Sequence, residues 1–495
     1  MRSKGFVRFS NEALMSDLFA RPDKTLCFAA AGVSYRKVRK HIMGILKKII
    51  TSNNKKRLFV LGLDGTPFTF LQKQMEEGKM PHFQRMLEKG SFLRMNSVIP
   101  CISSVAWTSF LTGVNLAKHN LQGFVDRKLN PFRVYIPTAR NIAVPTISEI
   151  LSEAGKRVVS INVPVSYPPK EVNGIQISCF LATDLAKAVY PKHYYSYLKE
   201  IGYRIDVDAW QGRKEKEKFL KDIHYTYDKR LEAAYYLMGR EDWDYFQLHI
   251  METDRINHFL WEQWESGHET YAAEFDKFYN KVDQLVGDLD ARLGNDVEFM
   301  ILSDHGFCSI KKEVYLNQWL EKNGYLKYKT DAPKSVTDMH PQSKAYSLIP
   351  GRIFINLKGR EDEGSVAPGN EYESLRQELM EKIIHITDPD TGEKIVKKIY
   401  KREDLYSGPF YDDSPDLVVV PNDGFDLKGN IKQPNLTYKG ELVGMHTDDD
   451  AFFYLRNYDI EPQEFGIIDM LPTIAELMEF PMKEAENFDG SSVLS

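Results

Sequence analysis

Five short apolar-rich runs, at positions 58–63, 158–163, 243–250, 297–302 and 417–420, constrain the fold of this chain more than any other feature. Each is too short for a core helix, and stretches of helical spacing at 146–154, 214–238 and 270–293 lie between several of them. Strands that are apolar on both faces must be covered on both faces. The expectation is therefore an α/β fold with a mainly parallel central sheet and helices on either side. A further amphipathic helix is expected at 467–478, and no internal repeat is visible.

With 495 residues, two or three domains would be allowed. Candidate ligand residues that span the chain from Asp64 to His446 instead predict one body over 58–495, folded around one centre and interrupted by insertions. Residues from about 311 to 410 are rich in Lys, Glu, Pro and Gly and read as an inserted cap. The tyrosine-rich stretch from about 126 to 240 reads as a second insertion.

Charge is distributed unevenly. Residues 1–57 carry fourteen Lys and Arg against the three acids Glu12, Asp17 and Asp23, a net of +11 in a chain whose total is −5. Within this basic extension, Val38, Ile42, Ile45 and Ile49 recur at helical spacing among basic residues, so 34–50 reads as a basic amphipathic helix. Packing against the acidic remainder or a second copy of the chain is the preferred reading; peripheral contact with an anionic membrane is the alternative. The whole-chain balance gives no reason to expect a nucleic-acid partner. Cys27, Cys101, Cys179 and Cys308 lack metal or disulfide spacing, and no signal peptide or spanning run is evident. These features point to the cytoplasm.

Carboxylates and imidazoles recur at the ends of the expected strands. Asp64 ends the first, Asp254 and His258 follow the third, and Asp304 and His305 end the fourth. In an open parallel sheet those ends form the ligand-binding edge. Asp254 and His258 are four apart, which on a helix puts both on one face. With His446, in the segment Gly444-Met-His-Thr-Asp, the set has three carboxylates and three imidazoles. This mixed oxygen and nitrogen set suits two zinc-like ions better than calcium, and such a pair can clamp an in-line phosphoryl transfer. Singly, each residue has a plainer reading: Asp64 a turn residue, His258 a core histidine beside Phe259 and Trp261, His446 a surface residue. Their shared topological position is what joins them. Aspartates 448–450 read as a solvated run.

A nucleophile candidate lies just before 105–112, which reads as a helix stopped by Gly113. Ser103 or Ser104 would then stand at its N-terminus, where the helix dipole favours a phosphate.

The segments LFVLGLDG, AWTSFLTG, TDRINH, ILSDHGF and GMH, in this order, resemble the alkaline phosphatase superfamily, in its type I phosphodiesterase and nucleotide pyrophosphatase branch. YLNQWLEKNGYL, GRIFINLKGRE, SPDLVVV and DMLPTIAELM are similar to the predicted phosphohydrolase/phosphomutase group within it. The resemblance implies that Asp64, Ser103, Asp304 and His305 hold one divalent metal and Asp254, His258 and His446 the other. It further implies that Ser103 is the nucleophile, with Ser104 as runner-up. Zinc is the expected metal, with manganese and iron as alternatives. The branch's phosphate-binding Asn downstream of the nucleophile has no counterpart in 123–127, where Arg127 is the substitute on offer. The absence of the Pro and Arg that follow a sulfatase nucleophile argues against sulfatase chemistry. The implied activity is metal-dependent hydrolysis of a small phosphate ester, a phosphodiester for preference, through a phosphoseryl intermediate. A phosphomutase or phosphotransferase on the same centre is the alternative within enzymes, and a non-catalytic metal-binding protein attached to a membrane by its basic helix is the alternative outside them.

Overall fold

The computed structural model describes residues 56–480 and 488–494. Eight strands make the main sheet: β1 (Arg57–Leu63), β2 (Gly90–Met95), β3 (Val158–Ile161), β4 (Gly174–Ile177), β5 (Val189–Tyr190), β6 (Tyr245–Ile250), β7 (Val297–Leu302) and β8 (Ala451–Arg456). Their order across the sheet is β2-β8-β7-β1-β6-β3-β4-β5. The pairings β7-β1, β1-β6, β6-β3 and β3-β4 are parallel, and β5, β8 and β2 add antiparallel edges.

Alternation along each strand assigns the two faces. Phe59, Leu61, Leu63, Phe246, Leu248, Phe299 and Ile301 pack into one core with the helices Lys216–Arg240 and Tyr271–Arg292. Leu58, Val60, Tyr245, Met300 and Leu302 pack into another, under Ser103–Thr112, Ile147–Glu153 and Met470–Leu477. Each such fully buried side chain contributes about 1.5–3 kcal/mol. Two buried faces are what the continuous apolar runs required.

Three expectations need correction. Arg57, assigned above to the extension, opens β1: its Nε donates to Trp243 O at 3.0 Å, and the guanidinium lies 4.0 Å over the Trp243 ring. The stretch 126–240 is no simple insertion, because it supplies β3, β4 and β5. The run at 417–420 lies outside the main sheet. As Leu417–Pro421 it joins a four-stranded sheet with Ala345–Leu348, Arg352–Ile355 and Val396–Lys401. That sheet has its own core with the helix Asn370–Ile383, including Tyr346, Phe354, Leu379 and Val419. A buried apolar strand carries no mark of which sheet it will join.

The basic stretch 34–50 lies outside the described residues. Among those described, no helix is long and apolar enough to cross a membrane.

Candidate metal centre

Parallel pairing brings the strand ends together. Gly62 of β1 is in register with His249 of β6 and with Leu302 of β7, so Asp64, the helix after β6 and the Asp304-His305 pair all leave one edge of the sheet. Asp64 is fully buried. Its Oδ2 accepts from Trp107 Nε1 at 3.0 Å and lies 2.9 Å from His249 Nε2, while Oδ1 faces Ser103 Oγ at 3.3 Å. Gly65 follows with φ +62°, and a Cβ there would come within 2.9 Å of the His305 ring. Only glycine permits both this turn and this close approach.

Ser103 opens the helix Ser103–Thr112 after Ile102, whose backbone is still extended, and Gly113 closes it in the left-handed region. Ser103 Oγ lies 3.1 Å from His305 Nε2. Ser104, one residue on, is also buried, but its hydroxyl has no hydrogen-bond partner.

Asp304 and His305 end β7. Asp304 Oδ1 accepts from Gly65 N at 3.0 Å, whereas Oδ2 is buried without a hydrogen bond. His305 Nδ1 lies 2.9 Å from Gly306 O, which turns Nε2 towards Asp64 and Asp304 at 3.6 and 3.4 Å.

The second group is built from a helix and a strand. Asp254 and His258 sit one turn apart on Glu252–Glu265, and Asp254 Oδ1 lies 3.2 Å from His258 Nε2. His446 belongs to Gly444–Thr447, which pairs antiparallel with Gly306–Ser309 so that His446 is opposite Phe307. Its Nε2 lies 3.3 Å from Asp254 Oδ1 and 3.1 Å from His258 Nε2. Gly444 O anchors His258 Nδ1 at 2.8 Å. The rings of His305 and His446 stack with centroids 3.6 Å apart, so the two groups adjoin.

Electrostatics match a ligand set. Burial, and then the Asp64 carboxylate, pushes the Asp304 carboxyl well above its usual range. Burial, and then the His446 ring, pushes His305 down to about 3, leaving it a neutral nitrogen donor. For Asp254, burial opposes the charge, but His258 and His446 outweigh it and hold the carboxyl well below the usual range. Burial likewise opposes charge on His258, and Asp254 overrides it in the upward direction.

The residues fit two cations. The ligand atoms of Asp64, Asp304 and His305, and those of Asp254, His258 and His446, each lie within 4.8 Å of one another. Asp304 Oδ2 and Asp254 Oδ1 are buried acceptors without hydrogen bonds, and the ring nitrogens of His258 and His446 face each other. In each histidine of known anchoring, the second ring nitrogen meets a backbone carbonyl, the arrangement that orients metal-binding imidazoles.

Other sequence readings fare differently. Arg127 is buried in an ion pair with Glu361, donates to Tyr346 Oη at 2.8 Å and lies 3.9 Å over Phe354, none of them a candidate ligand. Asp450 is not simply solvated, since it accepts from Thr69 and pairs with Arg94 at 3.4 Å. Sequence reasoning missed His249, Trp107 and Asn257, which donates to Gly65 O at 2.8 Å. The polar His249 in the largely apolar strand β6, where Gln247 is the other polar residue, was the available signal for the first.

A family model described as type I phosphodiesterase/nucleotide pyrophosphatase matches residues 58–449. Comparison with curated protein sequences gives no match. The fold is similar to phosphonoacetate hydrolase from Sinorhizobium meliloti 1021, at 15% identity and a TM-score of 0.58, covering 86% of this chain and 96% of that one. It is similar to murine ectonucleotide pyrophosphatase/phosphodiesterase 5, at 14% identity and a TM-score of 0.52, with the same coverage. The alkaline phosphatase PafA matches at 13% identity and a TM-score of 0.56, again over 86% of this chain and 96% of that one.

Proposed function

The chain belongs to the type I phosphodiesterase/nucleotide pyrophosphatase family, and from that premise we propose that it cleaves a phosphodiester by nucleophilic attack of Ser103. It is a phosphoric ester hydrolase. The observation that carries the Ser103 assignment is the position of its Oγ, 3.3 Å from Asp64 Oδ1 and 3.1 Å from His305 Nε2, at the first residue of a ten-residue helix.

Asp64, Ser103, Asp304 and His305 would hold one divalent cation, and Asp254, His258 and His446 the other, zinc being preferred by the Asp/His donor set over manganese or iron. Such ions, when bound, lower the pKa of a hydroxyl ligand and stabilise charge on a phosphoryl group. Asp64 and His305 orient the Ser103 hydroxyl, and the positive end of the helix dipole faces the incoming phosphate. Attack of Ser103 Oγ on phosphorus forms the phosphoseryl ester and releases the alcohol. Water then hydrolyses that ester and regenerates the serine. The insertion at about 311–410, whose strands pair with Leu417–Pro421, would serve as the cap, a reading supported by Val418 and Val420 lining the cavity beside His258 and His446. The free thiols of Cys101, Cys179 and Cys308 support a cytoplasmic setting.

The test is Ser103→Ala. It should lose turnover on aryl phosphodiesters by at least about a thousandfold while still binding two metal ions per chain. Undiminished metal-dependent hydrolysis by this variant would overturn the assignment. Labelled water appearing in the released phosphate separates hydrolysis from transfer to a second hydroxyl.

A further inference from the structure

A cavity of about 230 Å³ opens against the second ligand group, sharing His258 and His446 with it. Its near wall is the segment Ile99–Pro100–Cys101–Ile102, which runs directly into Ser103. Its far wall comes from the four-stranded sheet, through Val418, Val420 and the neighbouring Leu427. Phe124 and Met445 add further apolar surface.

Its polar content is informative. Beyond the ligand residues His258 and His446, the lining among the described residues carries the carboxylates of Asp423, Asp426 and Asp448 and one basic side chain, Lys428, which is ion-paired with Asp426. No Arg, Asn or Gln lines it. Away from the metal ligands, a second anionic group on the substrate would therefore meet carboxylates with no unpaired side-chain cation to neutralise it. A nucleobase would find no side-chain amide to read its edge, and the one aromatic ring besides the ligand imidazoles, Phe124, already packs edge-on against Phe180 with centroids 5.6 Å apart.

We propose that this cavity receives the alcohol arm of the substrate, and that this arm is apolar and carries no negative charge. The inference rests on the phosphodiesterase reading above and narrows it: the preferred substrates are phosphate esters of aliphatic or simple aromatic alcohols, and nucleotides and pyrophosphates are disfavoured. The cavity's continuity with the metal centre and with the nucleophile's own loop makes it a substrate subsite rather than a surface for a partner. Burying an alkyl chain there releases apolar surface from water on both sides of the contact.

Two measurements on the zinc-loaded full-length protein test this. Straight-chain alkylphosphonates from methyl to octyl are titrated calorimetrically; affinity should rise about fourfold per methylene until the cavity is filled. Phe124→Asp should flatten that rise. In parallel, hydrolysis of dihexyl phosphate and diphenyl phosphate is compared with that of ATP, and kcat/KM should favour the apolar esters by at least about tenfold. Asp423→Lys, at an exposed position of the rim, should shift the ratio towards ATP. A flat phosphonate series, or a preference for ATP by an active enzyme, would overturn the inference while leaving the phosphodiesterase reading intact. A rising phosphonate series without hydrolysis of any ester would support the cavity's role and overturn the phosphodiesterase reading instead.

Discussion

His249 Nε2 stands 2.9 Å from Asp64 Oδ2, and both side chains are fully buried. With Trp107 Nε1 on the same oxygen at 3.0 Å, the contact leaves only Oδ1 of Asp64 facing Ser103. Outer partners of this kind fix a ligand's orientation. His249→Ala is expected to weaken zinc binding at the Asp64 group by about 10- to 100-fold, read by competition with a chelating dye. His249→Gln, which keeps a donor, should recover part of the loss. Equal zinc affinity in wild type and His249→Ala would show that the contact positions nothing.

The same cradle depends on Gly62. A Cβ there would come 2.6 Å from Trp107 Cη2 and 3.1 Å from His249 Cδ2. Gly62→Ala must displace the ring, at a cost of about 1–3 kcal/mol, and should lower kcat together with the urea midpoint. Unchanged kcat would mean that Trp107 yields without moving Asp64.

Metal removal should be felt by the fold. Asp304 and Asp254 each keep a buried oxygen without a hydrogen-bond donor, an arrangement a cation relieves. Dialysis against a chelator is expected to abolish activity and lower Tm, and zinc at a thousandfold above its Kd should restore about 4 kcal/mol. A Tm indifferent to both treatments would count against a metal centre at these residues.

Asp416 anchors the four-stranded sheet. It accepts from Arg360 Nη2 and Ile355 N at 2.6 Å each and from Tyr372 Oη at 2.7 Å. Burial acts to push its carboxyl up, and the Arg360 guanidinium outweighs this, leaving it below the usual range. A depressed native pKa gives stability that is present above the unfolded value of about 3.9 and is lost as pH falls through the native value. Asp416→Asn should cost about 3 kcal/mol at pH 7. The gap between the variant and wild type should narrow as denaturation curves are taken below about pH 4; a gap independent of pH would refute this account.

The helix of Ser103 was readable because its signals are local: Gly113 as a left-handed stop and an apolar turn before it. Asp254 and His258 were readable for the same reason, since a spacing of four on one helix needs no knowledge of the rest of the chain. The run at 417–420 was read correctly as a strand and assigned to the wrong sheet, because burial on both faces looks alike in either place. Arg127 failed in another way. Its charge suggested phosphate, but its partner Glu361 is 234 residues away and no local pattern foretells that pair.

The sequence by itself determined the alternation of buried strands and helices and the types of ligand at the strand ends, since hydrophobic periodicity and turn chemistry act over a few residues. Tertiary structure alone decided that His446 would meet Asp254 and His258, through pairing of Gly444–Thr447 with Gly306–Ser309. It also decided that His249 and Trp107 would hold Asp64, and that an apolar, acid-rimmed cavity would open beside the nucleophile. These are contacts between residues far apart in the chain. Their geometry follows from sheet order and packing, which no local preference encodes.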